Sequence, residues 1–432
     1  MPAVNIDPKV HKFYAYFRFT LHMDQLLKSK TVKQTAILFA SQMALLAIGF
    51  GIKTIQTKLL GPAAYGLYAF FGSFTVFTAL FFRFGFFASL QVLLAENKEE
   101  NKEKELFGLG LIVSAVIGIV YAVFVWVFSF YVDQLFSSHI GDVLRILSPL
   151  TFIIPFRSAI VALSVGSNKV HLLPVYDNLA KLLFLGVLLV YFYSDAITVF
   201  QVTLFNLLTL LIAIFPIIKN LKPRFKNRRT HFTTLWQKTK TYGFHFYLGS
   251  TTNQSTFRLD ELAIVYFIGT TVNGFYSLAN IIASPIALGS QALSNSLFKR
   301  FSVQAYIPKK VFIYNTLWLV LAVALFYLLV DWLVFVLFGT EFSDVSKYAI
   351  AVSLVFFLQG LAEPFKFLSA KSLGKEIRNV GLAEAFINVS GNLILIPIYG
   401  VFGAIYTSLI AKLFNLIAKA IYYKRYIKKN NS

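Results

Sequence analysis

What most constrains this chain is a series of apolar runs, each long enough to cross hydrocarbon. A helix rises about 1.5 Å per residue, so ~20 residues span a bilayer core of about 30 Å. Runs of that kind fall at 35–58, 65–92, 107–131, 146–165, 172–192, 196–217, 243–268, 273–298, 312–336, 347–369, 378–398 and 401–423. In lipid the backbone must satisfy its own hydrogen bonds, so runs of this length are read as helices. Composition agrees. Charged residues make up 14% of the 432, against about 25% in a soluble domain. The mean hydropathy is +0.68. The reading is an all-α, multi-pass integral membrane protein with twelve transmembrane helices. The sequence has no cysteine, which removes disulfides and thiolate metal sites.

The net charge of +21 would suggest nucleic acid in a soluble protein. Here it is read as orientation charge, with no nucleic-acid partner, because the cations alternate in step with the runs. The stretch 218–241 carries Lys219, Lys222, Arg224, Lys226, Arg228, Arg229, Lys238 and Lys240 and no acid. Loops on the other side hold Asp133, Asp142, Asp195, Asp331, Glu341 and Asp344 with few cations. Lys and Arg mark the cytoplasmic side, so both termini are expected there. The first residues are polar, basic and aromatic (KFYAYFRF at 12–19). They show no secretory signal pattern, and an interfacial amphipathic piece is one reading of them.

A repeat organises the middle of the chain. Residues 59–70 read LLGPAAYGLYAF and residues 267–278 read FIGTTVNGFYSL. At a shift of 208, Gly61 falls on Gly269, Gly66 on Gly274 and Tyr68 on Tyr276; SVG at 164–166 falls on SLG at 372–374. A period near half the chain implies two copies of one unit. The expected organisation is a cytoplasmic N-terminal segment (1–33), an N-lobe of six spans (34–217), a basic connector (218–241), a C-lobe of six spans (242–425) and a short tail (426–432). Six spans per copy give both copies one orientation, with a pseudo-twofold axis along the membrane normal.

Charges inside the runs are the candidate functional residues, since each costs ~3 kcal/mol at the bilayer centre and so faces a cavity or a partner. Asp177 with Lys181, Arg258 with Glu261, and Glu363 with Lys366 are spaced to neutralise one another along their own helices. Arg83, Arg157 and Lys412 have no such neighbour, and Glu384 sits near the end of its run, where it can snorkel. Asp260 lies about 200° around its helix from Arg258 and points elsewhere. Lone cations from several helices facing one cavity would suit a polyanion such as a pyrophosphate. Pairing with acids on other spans is the structural alternative. A buried carboxylate such as Asp260 suits a cation or proton, and Glu261 and Asp177 are the further acids for that role. Neither a nucleotide-binding loop nor a metal-ligand spacing among the histidines occurs, and the reading includes no cofactor and no enzyme.

The repeat motif, LFGTEFSDVSKYAIAVSL at 337–354 and SLGKEIRNVGLAEAFINVSGNLILIPIYGVFGAIYTSLI at 372–410 together resemble the polysaccharide flippases of the multidrug/oligosaccharidyl-lipid/polysaccharide exporter superfamily. The likeness covers the chain from about residue 33, and its motifs describe helix packing. It implies two pseudo-symmetric six-helix lobes, MATE-like, across a central cavity in a bacterial inner membrane. It implies as substrate an oligosaccharide on a polyprenyl pyrophosphate, an O-antigen or other surface polysaccharide unit. A cation-lined cavity and an ion or proton gradient are also implied. Arg157, Lys181, Arg258 and Lys412 are the positions here that could form the lining, with Arg83. A polysaccharide polymerase is a candidate partner. Lipid II flippases of the superfamily carry two further helices, which counts against that substrate. Rival readings are a multidrug cation antiporter, which would want an acidic chamber, and a membrane glycosyltransferase or polymerase, which would want a sizeable outer loop. A major-facilitator transporter would want a Gly-Asp-Arg pattern that ENKEENKEKE at 96–105 lacks.

Overall fold

The computed structural model describes residues 30–97, 99–169, 172–192, 197–371 and 373–431. The N-terminal stretch through residue 29, including KFYAYFRF, and Asp195 lie outside the described residues. The chain divides into two units, Met1–Gly49 and Phe50–Ser432. In the first the described part is helical from Lys30.

The regular structure among the described residues is helical. Helix α1 spans Lys30–Phe81 and α2 Phe86–Glu96. There follow α3 (Glu100–Phe128), two short helices, α4 (Val132–Phe136) and α5 (Gly141–Leu147), then α6 (Phe156–Gly166), α7 (Leu172–Phe192) and α8 (Val199–Leu221). The connector holds α9 (Arg228–Lys238) and a π-turn at Thr239–Gly243. The second half contains α10 (Phe244–Phe267), α11 (Thr270–Ala283), α12 (Pro285–Val303), α13 (Lys309–Phe338), α14 (Asp344–Ala362), α15 (Lys366–Ala370), α16 (Gly374–Tyr399) and α17 (Val401–Asn431).

The repeated motif builds the same break twice. Gly61 sits at φ 69°, ψ 175° inside α1, and Gly269 at φ 129°, ψ 170° before α11. Both are left-handed backbone that glycine adopts without a Cβ penalty. Pro62 then demands the extended ψ of the residue before it and opens the second arm of α1 at a position where no N–H is needed. Five residues on, the next two glycines of the motif touch. A Cβ on Gly274 would lie 2.9 Å from Gly66 Cα, and one on Gly66 would lie 2.4 Å from the Thr270 carbonyl oxygen. The second arm of α1 and α11 therefore cross with backbones in contact.

Nine stretches among the described residues are long and apolar enough to cross a membrane, from Leu46–Phe81 to Val401–Lys429. The twelve expected runs differ from these for local reasons. The first run and most of the second fall on the one bent helix α1. The second is interrupted at residues 82–85, where Phe84 (φ 46°) and Gly85 (φ 80°) leave the helix and α2 restarts. The run at 243–268 is helix α10, which carries too many polar residues to qualify. The run at 273–298 is split at Ser284–Pro285 into α11 and α12.

Among the described residues, buried apolar side chains gather in three clusters. One joins Phe70 and Phe74 of α1 to Leu90, Phe107, Ile160 and Ile214. Another joins Tyr65 and Ala69 of the same arm to Ile264, Leu278, Leu319 and Ile405. A third sets Phe301, Phe365 and Phe367 against Tyr423. The second arm of α1 thus serves two cores. Elsewhere large apolar side chains face outward, as Leu321 and Leu328 of α13 and Phe386 of α16 do, the surface that acyl chains require.

The connector is pinned by two acids and an amide supplied from outside it. Lys238 pairs with Glu96 at 2.6 Å, His231 Nε2 lies 2.6 Å from Glu105 Oε2, and Arg224 donates to Asn101 at 2.7 Å. Its π-turn meets the break after α1 through another pair of glycines: a Cβ on Gly85 would sit 2.3 Å from the Gly243 carbonyl oxygen.

The glycine crossing gives a direct prediction. Gly66→Ala forces a Cβ into rigid backbone and is expected to cost roughly 1–3 kcal/mol. Gly186→Ala meets nothing within 4 Å, and there the better helix former is expected to leave stability unchanged or raised. Thermal unfolding of the purified variants in detergent distinguishes the two.

Candidate functional site

Two of the polar cavities within the bundle share lining residues, Glu261 of α10 and Asn280 of α11. The larger encloses about 540 Å³ and the smaller about 190 Å³.

The larger cavity collects cations. Lys53 from α1, Arg157 from α6 and Arg258 from α10 line it, with Glu261 as the carboxylate among the lining residues. Local structure explains each placement. Pro155 caps α6 and leaves Arg157 in its first turn. Arg157 reaches Asp177 of α7 in a two-pronged pair, Nε to Oδ1 at 3.0 Å and Nη2 to Oδ2 at 2.8 Å. A planar guanidinium matches a carboxylate in this way, whereas an ammonium meets it at one point. The Arg157 side chain stays 57% exposed to the cavity. Arg258 and Glu261, three apart on α10, pair at 3.1 Å, and Glu261 also accepts from Ser73. Lys53 donates to Gln56 at 3.1 Å and lies over the rings of Tyr65 and Tyr68 at 5.4 and 5.1 Å. Such cation–π contacts hold a cation while leaving its charge in place. Tyr68 accepts from Asn206 at 2.6 Å on the same wall. Even counting Asp177, three cations face two acids.

A further space of about 300 Å³ shares Arg157 with this one and has Arg83 in its wall. Arg83 occupies the break between α1 and α2. The expectation of an arginine inside a continuous second span is thereby corrected: the helix stops where Phe84 and Gly85 turn left-handed.

The smaller cavity collects acids. Asp260, Glu261 and Glu384 line it with Lys412. Asp260 is buried and accepts from Asn392 at 2.7 Å, Ser408 at 3.1 Å and Tyr276 at 3.2 Å. Asn392 donates to Asn388 as well, at 2.8 Å, and its own Oδ1 is buried with no hydrogen-bond donor. The Asp260 carboxylate and the Ser408 and Tyr276 hydroxyls in the cavity wall form an oxygen-rich set of the kind that hard cations take. Tyr276 is the repeat counterpart of Tyr68, so the same motif position serves both cavities.

Several sequence expectations change. Lys412 is not a lining residue of the cationic cavity. It pairs with Glu384 at 2.7 Å, and the two side chains are 15% and 11% exposed. Glu384 does not snorkel; it is buried and also accepts from Asn415 at 2.5 Å. Lys181 stands exposed on α7 and is absent from the walls of the cationic cavity, and its expected partner Asp177 is held by Arg157 instead. Arg157 is not lone. Lys53 was missed, although a lysine in the first apolar run, with no acid nearby in sequence, was the available signal.

Comparison with known proteins gives the family and the fold. Residues 31–288, well over half of the chain, match the family model described as polysaccharide biosynthesis protein. No curated protein matches the chain. Among solved structures, the lipid II flippase MurJ in an inward closed conformation is similar, with a TM-score of 0.71 at 16% identity over 90% of this chain and 87% of that one. An inward-facing multidrug resistance MATE family transporter of the MOP superfamily is similar at a TM-score of 0.66 and 12% identity, over 90% and 96%. A MOP superfamily transporter from Pyrococcus furiosus, described as having a binding pocket of reverse polarity, is similar at 0.53 and 12%, over 93% and 98%. The chain is a multi-pass membrane protein with the all-helical MATE-like fold, and it belongs to the polysaccharide biosynthesis protein family.

Proposed function

We propose that this protein is a flippase that carries a polyprenyl-pyrophosphate-linked oligosaccharide across a bacterial inner membrane, with both termini cytoplasmic. The observation that carries the reading is the convergence of Lys53, Arg157 and Arg258 on one polar cavity inside an apolar bundle. A cation held at low dielectric attracts an anion far more strongly than one in water. Arginine is the residue suited to bidentate contact with phosphate. The space of about 540 Å³ is in the range that holds a drug-sized polar group, enough for the pyrophosphate and the first sugars. The polyprenyl tail stays in lipid. The additional space beside Arg83 extends the positive path away from the centre.

In this reading twelve helices form two lobes, 34–217 and 242–425, which rock about the Gly66–Gly274 crossing. Asp260 with Asn392 and Ser408 takes the coupling cation or proton. Glu261, in the walls of both cavities and bonded to Arg258, links the two events. A coupling ion beside Glu261 competes with Arg258 for its oxygens, and freeing Arg258 strengthens the hold on the pyrophosphate. The acidic cavity, at about 190 Å³, admits water-sized ions and is too small for an organic drug cation. That weighs against the antiporter reading.

Reconstitution with a fluorescent polyprenyl-diphosphate disaccharide tests the proposal. Lys53→Ala and Arg258→Ala are each expected to lower the flipping rate about tenfold to a hundredfold, the weight of a charge-assisted hydrogen bond of ~1.5–3 kcal/mol. Lys181→Ala is expected to leave it unchanged. Arg157→Ala also strands Asp177, so the double variant Arg157→Ala with Asp177→Ala separates lost cation from exposed acid; a loss in both assigns it to the cation. Full rates in all the cation variants would remove the cavity from the mechanism.

A second measurement addresses coupling. With Asp260→Asn, flipping is expected to lose its response to imposed sodium and pH gradients while the substrate still binds. An unaltered gradient response would take Asp260 out of the coupling role.

A further inference from the structure

Polar side chains continue along the last two helices well beyond Asp260. On α16 Glu384, Asn388 and Asn392 recur four apart. On α17 Ser408, Lys412, Asn415 and Lys419 recur at spacings of four, three and four. Residues so spaced share one helix face. The two faces meet at the Glu384 carboxylate, which accepts from Lys412 on one oxygen and from Asn415 on the other. Glycines allow the approach: a Cβ on Gly391 would lie 2.6 Å from Thr407 Cγ2. From Ser408 to Lys419 the row covers ~16 Å, about half the thickness of the hydrocarbon core.

Two cavities lie along this row. The acidic one holds Asp260. The other, of about 240 Å³, holds Glu363, Lys366 and Lys419 and lies toward the helix ends that carry Lys371 and Lys424. Glu384, Lys412 and Gln359 line both. The buried ion pair therefore stands where the two spaces adjoin. Stability does not explain it, because well-packed apolar residues in place of a buried ion pair are often neutral or stabilising.

We propose that this row is the route by which the coupling cation passes between Asp260 and the basic ends of the helices, and that Glu384, Lys412 and Asn415 form its closed plug. The inference rests on the ion-coupled flippase reading. In the closed state both carboxylate oxygens of Glu384 are occupied and the Lys412 ammonium repels an arriving cation. Separation of the faces of α16 and α17 withdraws the ammonium and frees the carboxylate, which then accepts the ion in transit.

The test uses the full-length protein in proteoliposomes, first without any glycolipid, reading radioactive sodium uptake and a trapped pH-sensitive dye. Lys412→Met is expected to raise substrate-independent cation flux on the order of tenfold, since the plug loses its repelling charge. Lys412→Arg keeps the charge and is expected to stay tight. Glu384→Gln, which keeps the shape of Glu384, is expected to leak as well. Adding Asp260→Asn to Lys412→Met is expected to abolish the leak. A tight Lys412→Met protein that still flips substrate overturns the plug, and so does a leak that survives Asp260→Asn. Wild-type flipping indifferent to sodium and pH gradients overturns instead the coupled reading on which the plug rests.

Discussion

The structure turns on a contact between two glycines that the sequence repeat sets 208 residues apart. Gly66 and Gly274 meet with no side chain between them. In lipid the hydrophobic effect does not press helices together, so close packing of small residues supplies the association. Two positions further on, each copy of the motif presents a tyrosine to its own cavity. Tyr68 bonds to Asn206 in the cationic space, and Tyr276 bonds to Asp260 in the acidic one. The same motif position thus faces a space lined by Lys53, Arg157 and Arg258 in one case and one lined by Asp260, Glu261 and Glu384 in the other.

Those charges obey the cost of placing an ion in hydrocarbon. Arg157, Arg258 and Lys412 each have a carboxylate within 3.1 Å. The pairs differ in what they leave available. Lys412 and Glu384 are nearly enclosed, so their interaction is spent internally. Arg157 remains half exposed, and a half-exposed pair is weak enough to be exchanged for a better anion. Pairing therefore does not cancel the cavity's character. It holds the guanidinium in place, and under the proposed function a diphosphate, with more charge and more oxygens than Asp177, would displace the carboxylate.

Much of the fold was legible in the sequence, and the reasons are local. The apolar runs and the glycine motif locate most helices and both left-handed breaks, because length and φ preference are properties of short stretches. The site was legible in kind and less so in detail. Asp177 has Lys181 one turn away, and sequence spacing favours that pair. Only the fold shows that Arg157, twenty residues earlier, reaches Asp177 first with the better geometry. Glu384 and Lys412 lie on different helices, and no spacing rule connects them. Lys53 was passed over because its partners are two aromatic rings rather than an acid.

Two helices that do not read as membrane spans, α10 and α11, line the cavities beside the apolar helices α1, α14, α16 and α17. Helix α10 holds Arg258, Asp260 and Glu261 within four residues and is missing from the stretches apolar enough to cross on composition alone. Helix α11, at 14 residues too short to cross, supplies Tyr276 and Asn280 to the acidic cavity. A charged side chain that lines a cavity lowers the hydropathy of its own helix, and the outer helices restore the balance. Helix α13 is apolar around nearly its whole circumference, with Leu321, Leu328 and Trp332 facing outward. Hydropathy is thus distributed by role: the outer helices satisfy the bilayer, which frees the inner ones to carry charge.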